Sequence, residues 1–168
     1  MIIVCPLHAA PALVEHYGAS HAISLLSPES VWPVFPSLAA DRHLKLTLHD
    51  IVSSSPGMQE PRLPDAERLV KFIQGWDQSA PMLIHCWAGI SRSTASAFTA
   101  LCMVRDEPEE KLAWELREAS PSATPNRLLV SHVDQLLGRG GRMVKAVEAI
   151  GRGAEAFEGT PFTIATRL

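Results

Sequence analysis

Cysteine is scarce in this chain, and the three it has stand far apart: Cys5, Cys86 and Cys102, with no Cys-x-x-Cys among them. That usage excludes a disulfide framework and offers no zinc-ligand spacing. A reducing compartment is the natural inference, with cytoplasmic residence the expectation. An excess of one charge is also missing. The net charge of −3 carries no nucleic-acid or membrane-surface signal. No apolar run reaches the length of a membrane-crossing helix. Residues 1–8 lack both the basic segment and the apolar length of a signal peptide. The seven histidines show no metal-ligand spacing, so neither metal nor cofactor is expected. Internal repeats and low-complexity tracts are absent as well.

What remains is an ordinary globular composition, 46% hydrophobic against 20% charged over 168 residues, enough for one domain with a real core. The domain is read as residues 1–168, with a core of about 1–138 and a C-terminal extension, 139–168, without an assigned role. Apolar runs at 1–5, 21–26 and 82–84 read as buried strands. Residues 43–49 alternate strictly, Leu44, Leu46 and Leu48 against Lys45, Thr47 and His49, which predicts a further strand. Helices are expected at 9–17, closed by Gly18, and at 65–76, with Ala66, Leu69, Val70, Ile73 and Trp76 on one stripe. Others are expected from Ser91 on, at 108–117, from Thr124-Pro125 to a stop at Gly138, and at 143–150. Prolines make 31–40 and 51–64 loops. Trp32 and Phe35 either cover the core or rim a site. The tail from Gly151 has no clear pattern. Strands alternating with helices predict an α/β fold with a mostly parallel sheet covered on both faces.

One stretch carries the chemistry: Pro81-Met-Leu-Ile-His-Cys-Trp-Ala-Gly-Ile-Ser-Arg-Ser-Thr94. A strand turning sharply into a helix aims several backbone N–H groups into one small space. The helix N-terminus adds partial positive charge, so the loop is an anion cradle. The amides of Trp87, Ala88, Gly89, Ile90, Ser91 and Arg92 would line it, with Gly89 supplying backbone freedom for the curl. Arg92 can fold back and hold two oxygens of a phosphate. Cys86 lies at the bottom, where the same donors stabilise a thiolate facing bound phosphorus. The bland alternative is a buried cysteine in an ordinary strand-to-helix turn.

His-Cys-x-x-Gly-x-Ser-Arg-Ser resembles the signature loop of cysteine-dependent protein tyrosine phosphatases, and the Ser91-Arg92-Ser93 ending is similar to the dual-specificity branch. The matching motifs span roughly residues 20 to 137. The resemblance implies the same α/β fold and a phosphoryl-transfer reaction without cofactors. It implies that His85 supports the loop and favours the thiolate, and that Asn126, in a Pro-Asn pair, braces the loop with its amide. Asp50, where the alternating strand meets a flexible loop, is the expected general acid; related enzymes place theirs at about this point. Its alternative is a turn-initiating aspartate. Asp65, better read as a helix N-cap, and Asp41 are the rivals. The Ser93 hydroxyl can reach the sulfur and stabilise it as a leaving thiolate, or else it is a plain helix cap.

Phosphotyrosine, or mixed phosphoprotein, esters are the expected substrates, because no lysine stands between Cys86 and Arg92 as in phosphoinositide-directed relatives. A phosphorylated protein or small aryl phosphate is the expected partner; nucleic acid and membrane are not expected. Two rival readings stay open: a phosphate-binding module without turnover, and a rhodanese-like or arsenate-handling enzyme. Three decoys are read as structural. The His49-Asp50 pair belongs to no wider metal-ligand set, Gly138-Arg-Gly-Gly-Arg142 is a helix stop and turn, and Cys5 is an inert strand residue.

Overall fold

The computed structural model describes residues 1–167. Its strands are β1 (Ile2–Pro6), β2 (His21–Leu26), β3 (His43–Thr47), β4 (Met82–Cys86) and β5 (Phe162–Ile164). They form one sheet in the order β3-β2-β4-β1-β5. β1, β2, β3 and β4 run parallel and β5 antiparallel against β1. The helices are α1 (Ala10–Tyr17), α2 (Leu63–Gln74), α3 (Arg92–Val104), α4 (Glu109–Ala119), α5 (Arg127–Leu136) and α6 (Arg142–Ile150).

Both faces of the sheet are covered, so the central strands are apolar throughout rather than alternating. In β1 the two-residue period sends Ile3 and Cys5 toward α1, and Ile2 and Val4 into the larger core beneath α2 to α6. β3, an edge strand, does alternate, with Leu44 and Leu46 buried and Lys45 and Thr47 exposed. Trp32 lies over the Lys45 ammonium at 5.9 Å, while Phe35 is buried against the His43 and His85 rings at 4.7 and 6.1 Å. The covering role therefore holds for Phe35.

Three differences from expectation matter most for the site and the sheet. α2 begins at Leu63, not Asp65, because Pro64 is tolerated in a first helical turn. Asp65 accordingly stands at the third position, where its carboxylate accepts the Arg62 N–H at 2.9 Å. α5 begins after Asn126, whose side chain caps it by accepting the Leu129 N–H at 3.0 Å. The tail does form an element: β5 covers the outer edge of β1. Together with α6, which packs on α4 and α5, it builds the segment after residue 138 into the body of the fold.

Gly138, Gly140 and Gly141 form the expected stop and turn. The Asp134 carboxylate accepts the N–H groups of Gly141 and Met143 at 2.7 and 2.8 Å. Arg139 and Arg142 both reach Glu109. No helix of the described residues is long and apolar enough to cross a membrane.

Candidate active site

β4 ends at Cys86, and five residues later α3 begins at Arg92. The first turns of α3 are all small and all buried beyond Arg92: Ser93, Thr94, Ala95, Ser96 and Ala97. They let the helix run close behind the loop. The Thr94, Ser96 and Thr99 hydroxyls donate to the carbonyls of Ile90, Arg92 and Ala95 at 2.5, 3.0 and 2.9 Å. These polar groups are thus satisfied by the helix's own backbone and its leading turn.

The loop's amides are aimed by the way its carbonyls are held. In a trans peptide the C=O and the next N–H point in opposite directions. Cys86 O accepts from His85 Nδ1 at 3.1 Å. Trp87 O accepts the Leu7 N–H at 3.0 Å, Ala88 O the Gly159 N–H at 2.7 Å, Ile90 O the Thr124 N–H at 2.9 Å and Ser91 O the Asn126 N–H at 3.2 Å. Carbonyls pulled outward in this way turn the amides of Trp87, Ala88, Gly89, Ser91 and Arg92 to the inner side.

Gly89 is required here by space as well as by its φ of 73°. A Cβ at this position would lie 2.7 Å from Pro6 N, in the end of β1. The Gly89 N–H donates to Cys86 Sγ at 3.2 Å. Ser93 Oγ lies 3.2 Å from the same sulfur and donates to it when the sulfur is a thiolate. Cys86 is almost fully buried, but the sulfur has polar partners rather than a purely apolar wall.

Arg92 is also buried rather than swung into water. Its Nη1 donates to Leu48 O at 2.9 Å and Ser27 Oγ at 3.1 Å, groups just past the ends of β3 and β2. These anchors fix the guanidinium from one side. Nε is buried and has no hydrogen-bond partner among the described residues. A buried charged donor without an acceptor is costly, and an anion in the cradle is what would complete it.

Asp50 is brought to the same place. Its Oδ1 accepts the Ser91 hydroxyl at 2.7 Å and Asn126 Nδ2 at 2.9 Å, and the residue is exposed. The two rival aspartates are held elsewhere, Asp65 in the first turn of α2 and Asp41 in a 3-10 turn before β3. The role expected of Asn126 divides in two. Its backbone N–H braces the loop through Ser91 O, whereas its side-chain amide holds Asp50 and Ile51 O, the latter at 3.1 Å. A cavity of about 310 Å³ adjoins this pair, lined by Val52, Ser91, Asn126, Arg127, Val147 and Arg152. A larger one, about 500 Å³, lies by His21, Arg42 and Arg68 near the other ends of the strands, away from Cys86. Chemistry, not volume, picks the site.

Sequence reading missed a polar chain beneath the loop. Because Cys86 O only accepts, His85 Nδ1 carries the proton and Nε2 is the acceptor. The Ser24 hydroxyl therefore donates to His85 Nε2, at 2.5 Å, and accepts from His43 Nε2 at 2.8 Å. Burial pushes the pKa of both histidines down to about 4. His85 is consequently neutral near pH 7 and supports the loop by hydrogen bonding, not by positive charge.

This chain has a consequence for stability. Below the ordinary value of 6.5 the unfolded chain takes up protons that the folded one refuses. The contribution of these histidines is complete above that pH and drains away toward pH 4, at up to about 1.4 kcal/mol per pH unit for each. The urea midpoint is expected to fall clearly between pH 7 and pH 5. An unchanged midpoint would contradict the buried, neutral assignment.

The remaining cysteines stand apart from the chemistry. Cys5 pairs in register with His85, so its side chain lies on the sheet face opposite Cys86. Burial pushes its thiol up to about 12, and that of Cys102 likewise. Among the described residues no three His, Cys, Asp or Glu side chains group as metal ligands.

No family model and no curated protein matches the chain. Solved structures do. A human tyrosine phosphatase-like serine/threonine/tyrosine-interacting protein is 20% identical with a TM-score of 0.64, over 83% of this chain and 92% of its own. A mouse putative dual specificity phosphatase complexed with zinc tungstate is 18% identical with a TM-score of 0.64, over 87% and 86%. PTPMT1 in complex with PI(5)P is 14% identical with a TM-score of 0.59, over 89% and 94%. The sheet order, the helices packed on both its faces and the loop at the end of β4 thus give this chain the α/β fold of the cysteine-dependent, dual-specificity-like protein tyrosine phosphatases.

Proposed function

We propose that the chain is a phosphoprotein phosphatase that hydrolyses phosphotyrosine esters through a phosphocysteine intermediate, with phosphoserine and phosphothreonine esters as a second class. The observation that carries this is the loop itself: the Cys86 sulfur accepts the Gly89 N–H, the anchored carbonyls turn the amides inward, and the buried Arg92 Nε has no partner among the described residues. A phosphate dianion supplies the acceptors that these donors lack.

The phosphate rests on the amides of Trp87 to Arg92 and on the Arg92 guanidinium, whose Nη1 anchors keep it from swinging away. Cys86 Sγ attacks phosphorus, the P–O bond to the leaving group breaks, and protonated Asp50 gives its proton to the departing oxygen. Asp50 holds that proton on Oδ2, since Oδ1 is engaged by Ser91 and Asn126. In the second step Asp50 takes a proton from water, the water oxygen bonds to phosphorus, and the P–S bond breaks. Ser93 Oγ–H, 3.2 Å from sulfur, stabilises the leaving thiolate. Inorganic phosphate and the free thiolate remain.

The side chains of the loop decide between substrate classes. Trp87, Ala88, Ile90 and Ser91 bear no charge, so nothing between Cys86 and Arg92 recognises a second phosphate. A phosphotyrosine peptide is expected to show a kcat/KM at least about tenfold above that of a soluble short-chain PI(5)P. Phosphate release from each, at matched concentrations, checks this, and a preference for the phosphoinositide would overturn the phosphoprotein reading. A phosphate-binding module would bind tungstate yet release no phosphate from either.

A further inference from the structure

Residues 153–159 run from the end of α6 across the outside of the loop to β5. This strap is tied along its length. The Gly153 N–H donates to Thr124 Oγ1 at 3.0 Å and the Ala154 N–H to Pro121 O at 2.9 Å. His8 Nε2 meets Glu158 Oε1 at 3.0 Å. The Gly159 N–H donates to Ala88 O at 2.7 Å, in the peptide whose own N–H points at Cys86 Sγ. A Cβ at Gly159 would lie 2.9 Å from Gly89 O, so the backbones touch there without room for a side chain.

What the strap carries is Phe157, 82% exposed, edge-on to Trp87, itself 47% exposed. The ring centroids are 5.3 Å apart at 85°. Neither aromatic belongs to a core cluster. Adjacent exposed aromatics on a tethered backbone mark a recognition surface. Their position names the occupant. Trp87 follows the nucleophile and its amide belongs to the cradle, so its exposed ring stands one residue from the phosphate site, within reach of a side chain that neighbours a bound ester. The nearby carboxylate, Glu158, would repel an acidic group.

We propose that Trp87 and Phe157 form an aromatic wall that takes an aromatic or large apolar side chain next to the phosphorylated residue of a peptide substrate. This rests on the phosphatase reading and adds a specificity device supplied by the C-terminal segment.

The test compares two phosphotyrosine peptides, one with phenylalanine and one with alanine beside the phosphotyrosine, on native, Phe157→Ala and Phe157→Trp protein. Native protein is expected to prefer the phenylalanine peptide roughly fivefold in kcat/KM, the size of one aromatic contact. The effect should lie in KM. The ratio falls to near one in Phe157→Ala and is kept in Phe157→Trp. Taking the ratio cancels any common change in the chemical step. A native ratio of one, or a preference that survives Phe157→Ala, overturns the wall and leaves the phosphatase reading standing. If native protein releases no phosphate from either peptide, the phosphatase reading fails instead. Fluorescence anisotropy of the same labelled peptides then judges the wall alone, equal affinities overturning it and a Phe157-dependent preference supporting it.

Discussion

Cys86→Ser protein is expected to hydrolyse p-nitrophenyl phosphate at least on the order of 10⁴-fold more slowly than native protein, the scale of loss when a nucleophile is removed. The substitution exchanges one atom in a buried position. The loop's carbonyls are held without that atom: those of Trp87, Ala88, Ile90 and Ser91 by donors from other segments, and that of Cys86 by the neighbouring His85 ring. The variant should therefore fold, unfold near the native temperature and still bind tungstate, since the amides and Arg92 are intact. The loss must then be chemical. A serine hydroxyl has no partner here able to take its proton, because His85 Nδ1 is committed to Cys86 O and Nε2 to Ser24. Steady-state release of p-nitrophenol, with thermal melts as control, checks this. Turnover retained within tenfold would remove Cys86 from the reaction.

Asp50→Asn is expected to lower kcat by about 10²- to 10⁴-fold on substrates with a poor leaving group, the usual range for a general acid. An asparagine oxygen can still accept from Ser91 and Asn126, so the position of the loop is preserved while the transferable proton is lost. The loss should shrink as the leaving group improves, because a stable phenolate needs less protonation. A series of substituted aryl phosphates reads this directly: the native rate varies little with leaving-group pKa, and that of the variant varies steeply. An equal loss across the series would make Asp50 a structural residue. An unaffected rate would transfer the role to another group.

The parts of the site that sequence makes legible are those fixed by short-range chemistry. Cys86, Gly89 and Arg92 lie within seven residues, and a strand-loop-helix turn constrains them almost alone. β3 is legible because an edge strand covered on one face must alternate. Asp50 stands out because that alternation stops beside it.

The residues that were missed act across the chain. Ser24 is sixty-one residues from His85 and nineteen from His43, and only the register of β2 against β4 and β3 brings the three together. Likewise, the anchors of Arg92 at Ser27 and Leu48 depend on the parallel ends of β2 and β3. β5 is three residues long, too short to show any period, and its pairing partner lies at the other end of the sequence. Gly159 reads as one more loop glycine until its contact with Ala88 is seen.

The most direct test of the central claim is an acid-quenched reaction of native protein with a phosphotyrosine peptide, digested and analysed by mass spectrometry. The expected result is one added phosphoryl group on the peptide containing Cys86, absent from Cys86→Ser protein, and more abundant in Asp50→Asn protein given an aryl phosphate with a good leaving group, for which formation of the intermediate needs no acid and only its hydrolysis is slowed. Phosphate release by native protein with no adduct at Cys86 in either native or Asp50→Asn protein would contradict the account.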